Sequence, residues 1–316
     1  MKRRLKCLMY AFQLLPEYSY WFWRDLWYSS LYRNQKSELS GLMINSHVLE
    51  KGITMPDRHY GFGYEMVRVI IKRTKAAINE YTINHIEIQS TLKDLEQYLQ
   101  IHESANFGLP EDISDNINQL LKYKNTDTVS CFESTPLEFF KNTNNFYEFA
   151  HSRHTCRWYS EKPVNKTILV KAIKLAQTAP SACNRQSSKV YIVESKEKKS
   201  QVLKLQNGNR GFGHLADKII LITSDMRYWN FQTRTSAFLD AGIFTMNLLY
   251  ALHYYKICAC TLNAHLSIKQ RKQLMTIVGY SESEMPIVFI SIGNAPDKFM
   301  VAGSQRLDVD SIYRFI

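Results

Sequence analysis

The stretch FAHSRHTCRWYSEKPV, residues 149–164, sets His151, Arg153, His154 and Arg157 within seven residues, with Thr155 and Cys156 between them. A solvated charge run ordinarily carries both signs, yet the first acid of this stretch is Glu161. The composition points to a pocket for an anion. An enclosed anion wants forked, permanently charged donors, which Arg153 and Arg157 supply, and Thr155 adds a hydroxyl. Arg306, in GSQRL (303–307), is a further guanidinium that can arrive from the far end of the chain. Taken singly, each arginine reads equally as a solvated surface charge, and His154 stays open between a packing residue and a ligand.

A second group of residues lies in APSACNRQ, 179–186. Pro180 ends a helix and forces extended backbone beside the small side chains Ser181 and Ala182, where a flat ring could approach closely. Asn184 and Gln186 offer amide donors and acceptors, although an ordinary polar turn has the same composition. No base is expected beside Cys183, so it reads as a small packing residue and not a nucleophile. A third group is HVLEKGITMPDRHYGFG (47–63), dense in charged and aromatic residues. Gly52, Gly61 and Gly63 permit backbone turns there. Arg58, His59 and Tyr60 at its tip form either a substrate-binding loop or part of a structural clasp with Glu50 and Lys51. No catalytic acid–base dyad stands out. GNRGFG (208–213) has glycines but follows no strand as a dinucleotide fingerprint requires, so that reading fails.

These groups must be held by two kinds of framework. Residues 37–123 read as helical almost throughout: LSGLMINSHVLEKG closing on Gly52 as a C-cap, then Met66, Val67, Ile70, Ile71 and Ile78 at helical spacing, then Leu92, Leu95 and Leu99. Periodicity is lost in LKYKNTDTVSCFESTPLEFFKNTNN, which sets a boundary near 125–145, so that residues 1–140 form a helical extension and 141–316 a second domain. In the second half, Asn165 caps a helix that Pro180 stops, and KVYIVES, KIILITS, KICACTL and PIVFISIG read as strands. Residues 235–254 form a long helix, apolar enough around its circumference to be buried on more than one side. Ser267 and Gln270 make a capping box for a helix closed by Gly279. The class is α+β, a mixed central sheet covered by helices.

Composition narrows the function classes. With 45% hydrophobic and 13% aromatic residues over 316 positions, the chain can pack a sizeable core, and no run reaches the ~18 apolar residues of a membrane span. The basic start lacks a small-residue cleavage site, and Pro16 and Glu17 interrupt it, so no signal peptide is read. Six cysteines with no C-x-x-C pair argue against a structural metal or disulfide framework and fit a reducing cytoplasm; Cys258 and Cys260 share one side of their strand. Net charge +11 attracts anions without choosing among them. No recognisable nucleic-acid module carries the basic residues. In residues 1–35, Lys2, Arg3, Arg4, Lys6, Arg24 and Arg33 interleave with Trp21, Phe22, Trp23 and Trp27. That pattern leaves two readings, a buried aromatic layer or peripheral contact with an anionic membrane surface.

In five places, in order, the second half resembles the nitroreductase family of FMN enzymes. RHTCRWY (153–159) is similar to its R-x-S-x-R/K segment, APSACNRQ to its A-P-S-x-x-N-x-Q turn, and NGNRGF (207–212) to its pyrimidine-end loop. DAGIFTMNLLYALHYYKICACTLNA (240–264) resembles its long central helix and following strand, and GSQRL its C-terminal arginine segment. The resemblance implies a nitroreductase-like fold after residue 140, an FMN cofactor and NAD(P)H as reductant. It also implies a small-molecule acceptor and a homodimer whose site draws on both chains. The cofactor contacts it implies fall on Arg153, His154, Thr155, Arg157, Pro180, Ser181, Asn184, Gln186, Asn209, Arg210, Leu262, Asn263 and Arg306. Two features depart from the family pattern: Asn263 and Ala264 stand where simple members carry glycine, and only DMRYWNFQTR separates Ser224 from the long helix, where many relatives insert a covering segment. That shortfall turns attention to loop 51–63 as a cover. The helical extension is similar to those of nitroreductase-like proteins associated with bacterial polysaccharide biosynthesis, which leaves open a specialised reaction on a biosynthetic intermediate, or a scaffold without turnover.

Overall fold

The computed structural model describes residues 35–125, 130–140, 145–182, 185–229, 233 and 235–316, with positions 9, 11, 12, 15, 16 and 19 before them. Asn184, Cys183 and nearly all of the aromatic, basic start therefore lie outside the described residues. Contacts divide the chain into two units, and the division is not a single cut. The first comprises Met1–Leu49, Gly63–Thr128 and Gln305–Ile316; the second comprises Glu50–Phe62 and Val129–Ser304.

The first unit is helical. It holds most of α1 (Gln35–Ile53), with α2 (Tyr64–Glu80), α3 (Ile86–Ser104) and α4 (Glu111–Leu121). In α2 the buried residues are Val67, Ile70, Ile71, Thr74 and Ala77, the one-sided stripe its spacing predicts. In α3 the stripe widens around Ile88, Leu92, Leu95 and Leu99 to include buried Asp94, whose carboxylate accepts a hydrogen bond from Ser46 of α1. The amphipathic α4 seats Ile113, Ile117 and Leu120, and Arg68 of α2 grips its Asp112 at 2.8 Å.

The second unit is α+β. In chain order it contains β1 (Cys131–Ser134), α5 (Pro136–Phe139), α6 (Phe146–Ser152), α7 (Lys166–Ala176), β2 (Ser188–Val193), α8 (Lys196–Leu205) and β3 (Lys218–Asp225). Then follow α9 (Ser236–Tyr254), β4 (Cys258–Asn263), α10 (Ile268–Val278), β5 (Glu284–Gly293) and β6 (Phe299–Ala302). The capping residues behave as their chemistry requires. Asn165 accepts from the Thr167 and Ile168 amides, Ser267 and Gln270 form the reciprocal box, and Gly279 closes α10 at φ 86°.

The main sheet has the order β2-β3-β5-β4, and β1 pairs with β6 in a separate ribbon. Every residue of β3 is buried, which explains its unbroken apolar run, whereas edge strand β4 buries Cys258, Cys260 and Leu262 in strict alternation. The expected mixture of strand directions is absent from neighbouring pairs: all described pairings are antiparallel. The reason is the connection. After β2, α8 carries the chain away and the loop 206–217 brings it back, so β3 re-enters beside β2 in the opposite sense, whereas a direct helical crossover would return it parallel. Strand β1 and α5 fall in a stretch whose Asn/Thr/Ser content reads as linker. The strand is only four residues long, too short for a period to show.

Two expectations about local packing change. Gly52 does not end α1; it lies inside the last turn, where a Cβ would stand 2.3 Å from the ring of Phe62. It is needed for close approach, whereas Gly61 and Gly63 do take positive φ. Helix α9 is buried within the chain on one side only, through Ala237, Ala241, Leu248, Ala251 and Leu252, and Phe238 and Leu239 remain 49% and 63% exposed.

Candidate functional site

Helix α6 stops at Ser152, and Arg153 at its C-cap leaves the helical region. The Cys156 amide then donates to Ala259 O at 3.0 Å, which ties the basic stretch to β4. Its charged residues separate at that point. Arg153 and His154 line a cavity of about 10 Å³ with His253 of α9, Phe139, Leu249 and Ala259. His154 sits edge-on to Phe132. His253 is buried among Phe139, Phe140 and Phe149, with Nε2 2.9 Å from Ser152 Oγ. Burial, with Arg153 and His154 nearby, pulls its pKa down to about 4, so at neutral pH it is uncharged.

Arg157 goes elsewhere. It is 7% exposed, its Nε has no hydrogen-bond partner, and its guanidinium lies 5.9 Å from the centre of the Phe212 ring. A second cation shares that ring: Lys51 Nζ stands 5.2 Å from its centre and donates to Gly208 O at 2.9 Å. Burial, then Arg157, then Arg210 lower the pKa of Lys51, and only Cys260 acts the other way. The Cys260 thiol is itself raised by burial, partly offset by Arg157 and Lys51. The structure thus sets Arg157 and Lys51 on one aromatic ring, with Arg210 acting on Lys51 from the exposed loop. Among the described residues no carboxylate pairs with either of the two, an arrangement that favours an anionic ligand.

The loop that supplies Phe212 is braced from within. Asn209 Nδ2 donates to Leu203 O at 2.8 Å and to Gln206 Oε1 at 3.0 Å, and Gln206 in turn donates to Asn263 O at 3.1 Å. Asn263 spends its own Oδ1 on the His265 amide. Both asparagines therefore act as braces in this structure. Leu262 is buried beside them, Asn263 is exposed on its edge, and Arg210 is exposed at the loop's tip.

The turn after α7 is organised by a residue that sequence reasoning left unassigned. Buried Asp240 of α9 accepts a hydrogen bond from the Ala182 amide at 3.0 Å. Ser181 Oγ accepts from the Gln186 amide at 3.1 Å, and Gln186 takes φ 52°. Pro180 and Gln186 are exposed, Ser181 and Thr155 half-buried. Arg306 is exposed on Gln305–Ile316, which groups with the helical unit, so its assignment to a cofactor rests on the motif alone.

Residues 50–62 belong by contact to the second unit, and their polar groups are spent there. Glu50 accepts from the Ser304 amide at 2.7 Å, and Thr54 O accepts from Trp158 Nε1 at 2.7 Å. Met55 Sδ lies 3.1 Å from where a Cβ on Gly211 would stand. Arg58 turns back to Ile53 O at 2.6 Å and covers Tyr60, while His59 and Tyr60 are exposed. The residue of this segment that joins the cation cluster is Lys51, not Arg58. Its signal was the charge density of HVLEKG; the spacing to Arg157, 106 positions on, carries none.

Residues 150–209 match the nitroreductase family. No curated protein matches the chain. Among solved structures, a protein of Parabacteroides distasonis assigned as an NADH dehydrogenase/NAD(P)H nitroreductase is 20% identical, with a TM-score of 0.48 over 54% of this chain and 98% of its own. A nitroreductase family protein of Streptococcus pneumoniae is 21% identical, with a TM-score of 0.46 over 54% and 100%. An FMN-dependent nitroreductase of Clostridium difficile is 21% identical, with a TM-score of 0.42 over 52% and 91%.

Proposed function

Proceeding from a nitroreductase-family segment at residues 150–209, we propose that this chain is an FMN-dependent oxidoreductase that uses NAD(P)H to reduce a small organic acceptor of the nitroaromatic or quinone type. The observation that carries the reading is buried Arg157, with an unpartnered Nε and Lys51 beside the same ring. Such a pair fits a cofactor with negative charge, and FMN brings a phosphate and a ring that becomes anionic on reduction. When bound, FMN supplies the two-electron chemistry between reductant and acceptor in alternating half-reactions. The chain's part is to bind and orient it. Arg157 and Lys51 supply charge, the Ala182–Asp240 and Asn209–Gln206 contacts hold two walls, and Arg153, His154 and Thr155 are the proposed phosphate-side group.

The exposed apolar face of α9, with Phe238, Leu239, Ile243 and Met246, supports a homodimer in which a second copy covers it. A monomer by light scattering at micromolar concentration would remove that part of the reading. Among the described residues no helix is long and apolar enough to cross a membrane; membrane contact through residues 1–35 falls almost wholly outside them. Anaerobic titration of the purified protein with NADH and with NADPH tests the function. A yellow protein bleached by either nicotinamide supports the reductase; a yellow protein that neither bleaches supports a specialised flavin reaction on a biosynthetic intermediate. A colourless protein that takes up no FMN leaves a scaffold.

A further inference from the structure

Lys51 is the feature of the site that the motifs do not account for. It comes from the last turn of α1, in the part of the chain that precedes the family-like half by about a hundred residues. Yet its ammonium reaches Gly208 O at 2.9 Å and lies over the ring of Phe212, the ring that Arg157 also covers. The segment around it is fixed to the same unit at three further points: Glu50 to the Ser304 amide, Thr54 O to Trp158 Nε1, and Met55 against Gly211. An ammonium held this way is a built feature, because three neighbouring contacts fix the backbone that carries it.

Its charge is uncompensated. The charged or titratable groups facing Lys51 are Arg157, Arg210 and Cys260, of which two are cations and the third a thiol whose own pKa is raised. Placing a second cation beside a guanidinium that is 7% exposed costs stability in the empty protein. Phe212 lowers that cost by offering its face to both, at about 0.5–2 kcal/mol per contact, but a carboxylate would do so better, and none stands there among the described residues. The arrangement makes sense when a ligand brings the negative charge.

We infer that Lys51 is a cofactor ligand supplied by the N-terminal extension, forming with Arg157 a two-cation cluster for a negative charge carried by the flavin. The inference rests on the flavin reading above. Two parts of FMN carry such charge, the phosphate in every redox state and the ring only when reduced, and the shared chemistry is an anion against Lys51, Arg157 and the face of Phe212.

The test compares wild type, Lys51→Gln and Lys51→Arg as full-length holoproteins. Gln keeps a donor for Gly208 O and removes the charge, so a merely structural Lys51 would leave both readouts below at wild-type values. If the cluster holds the phosphate, Lys51→Gln weakens FMN binding about tenfold and leaves riboflavin binding unchanged. If it holds the reduced ring, oxidised FMN binds as before while the midpoint potential falls by about 30 mV, the two-electron equivalent of a tenfold loss in the reduced state alone. Lys51→Arg restores most of either effect. Wild-type affinity and wild-type potential in Lys51→Gln overturn the inference and leave the oxidoreductase intact. A wild-type protein that takes up no FMN removes the flavin reading, and this inference with it.

Discussion

Arg153 and Arg157 stand four residues apart on one short tract, and the tract delivers them to unlike surroundings. Arg153 shares a small cavity with His154 and His253, a cluster of titratable rings among phenylalanines. Arg157 is pressed against Phe212 with Lys51 beside it, and every charged neighbour of that ammonium is another cation or a thiol. At the first end part of the charge is relieved within the protein: burial and the two neighbours hold His253 neutral, while Arg153 keeps its guanidinium charge. At the second end the Arg157 guanidinium keeps its charge, and burial and neighbouring cations lower the Lys51 pKa with no carboxylate acting on it. The face of Phe212 eases the two only in part. The difference teaches where a ligand is needed. An imidazole can shed its charge when no anion is near, whereas a buried guanidinium cannot, so the second end leans more heavily on an anionic ligand.

The largest expected effect concerns the end that holds His253. A histidine whose pKa falls from 6.5 unfolded to about 4 folded binds fewer protons in the native state between those values. Its contribution is therefore fully present above pH 6.5 and is lost as pH falls toward 4, by about 3 kcal/mol in all. Urea unfolding at pH 7.5 and pH 4.5 should show that loss, and His253→Gln, which keeps a partner for Ser152 Oγ, should flatten it. Arg153→Met should reduce it as well, since Arg153 is part of what lowers the pKa. A wild-type slope in His253→Gln would mean that other groups carry the acid sensitivity.

Next comes the end that holds Arg157. Arg157→Met keeps the packing on Phe212 and removes the charge. FMN affinity should fall about tenfold or more, corresponding to roughly 1.5–3 kcal/mol for a charge-assisted contact. The apoprotein should melt no lower than wild type, because a buried cation with an unsatisfied Nε is replaced by an apolar chain. Opposite signs for holo and apo stability are the signature. Unchanged flavin retention would break the comparison at its root.

How much of this could be read beforehand depends on the range over which each signal acts. Caps and strands are local. Asn165, the Ser267–Gln270 box and the unbroken run of β3 carry their own geometry, and the structure keeps all three. Residue type was equally legible, for a buried forked cation was expected of Arg157. What the tract could not show is which neighbour each arginine meets, because that depends on β4 capturing Cys156 and on α9 bringing His253 to Arg153. Asp240 and Lys51 stayed hidden for the same reason. Each acts on a partner many residues distant, and that pairing is not shown by any local pattern. The antiparallel sheet was missed because strand direction is set by how the 206–217 loop returns, and an irregular loop has no period.

The smallest effect belongs to the tip of the segment that carries Lys51. Arg58 donates to Ile53 O at 2.6 Å and covers Tyr60, so it braces its own loop, while His59 is exposed. Replacing both with Ala removes one hydrogen bond from half-buried Arg58 to the carbonyl of buried Ile53, worth about 1 kcal/mol. Flavin content should hold, since Lys51, Thr54 and Met55 keep their contacts with the second unit. If the tip also meets the acceptor, reoxidation of the reduced protein by that acceptor slows in rapid mixing while reduction by NAD(P)H keeps its rate. Slower reoxidation with a nearly unchanged melting temperature extends the anion-seeking end from Lys51 outward to the loop. Normal reoxidation with a lower melting temperature confines that end to Lys51 and Arg157, and the loop is then a clasp that serves only to hold Lys51 over Phe212.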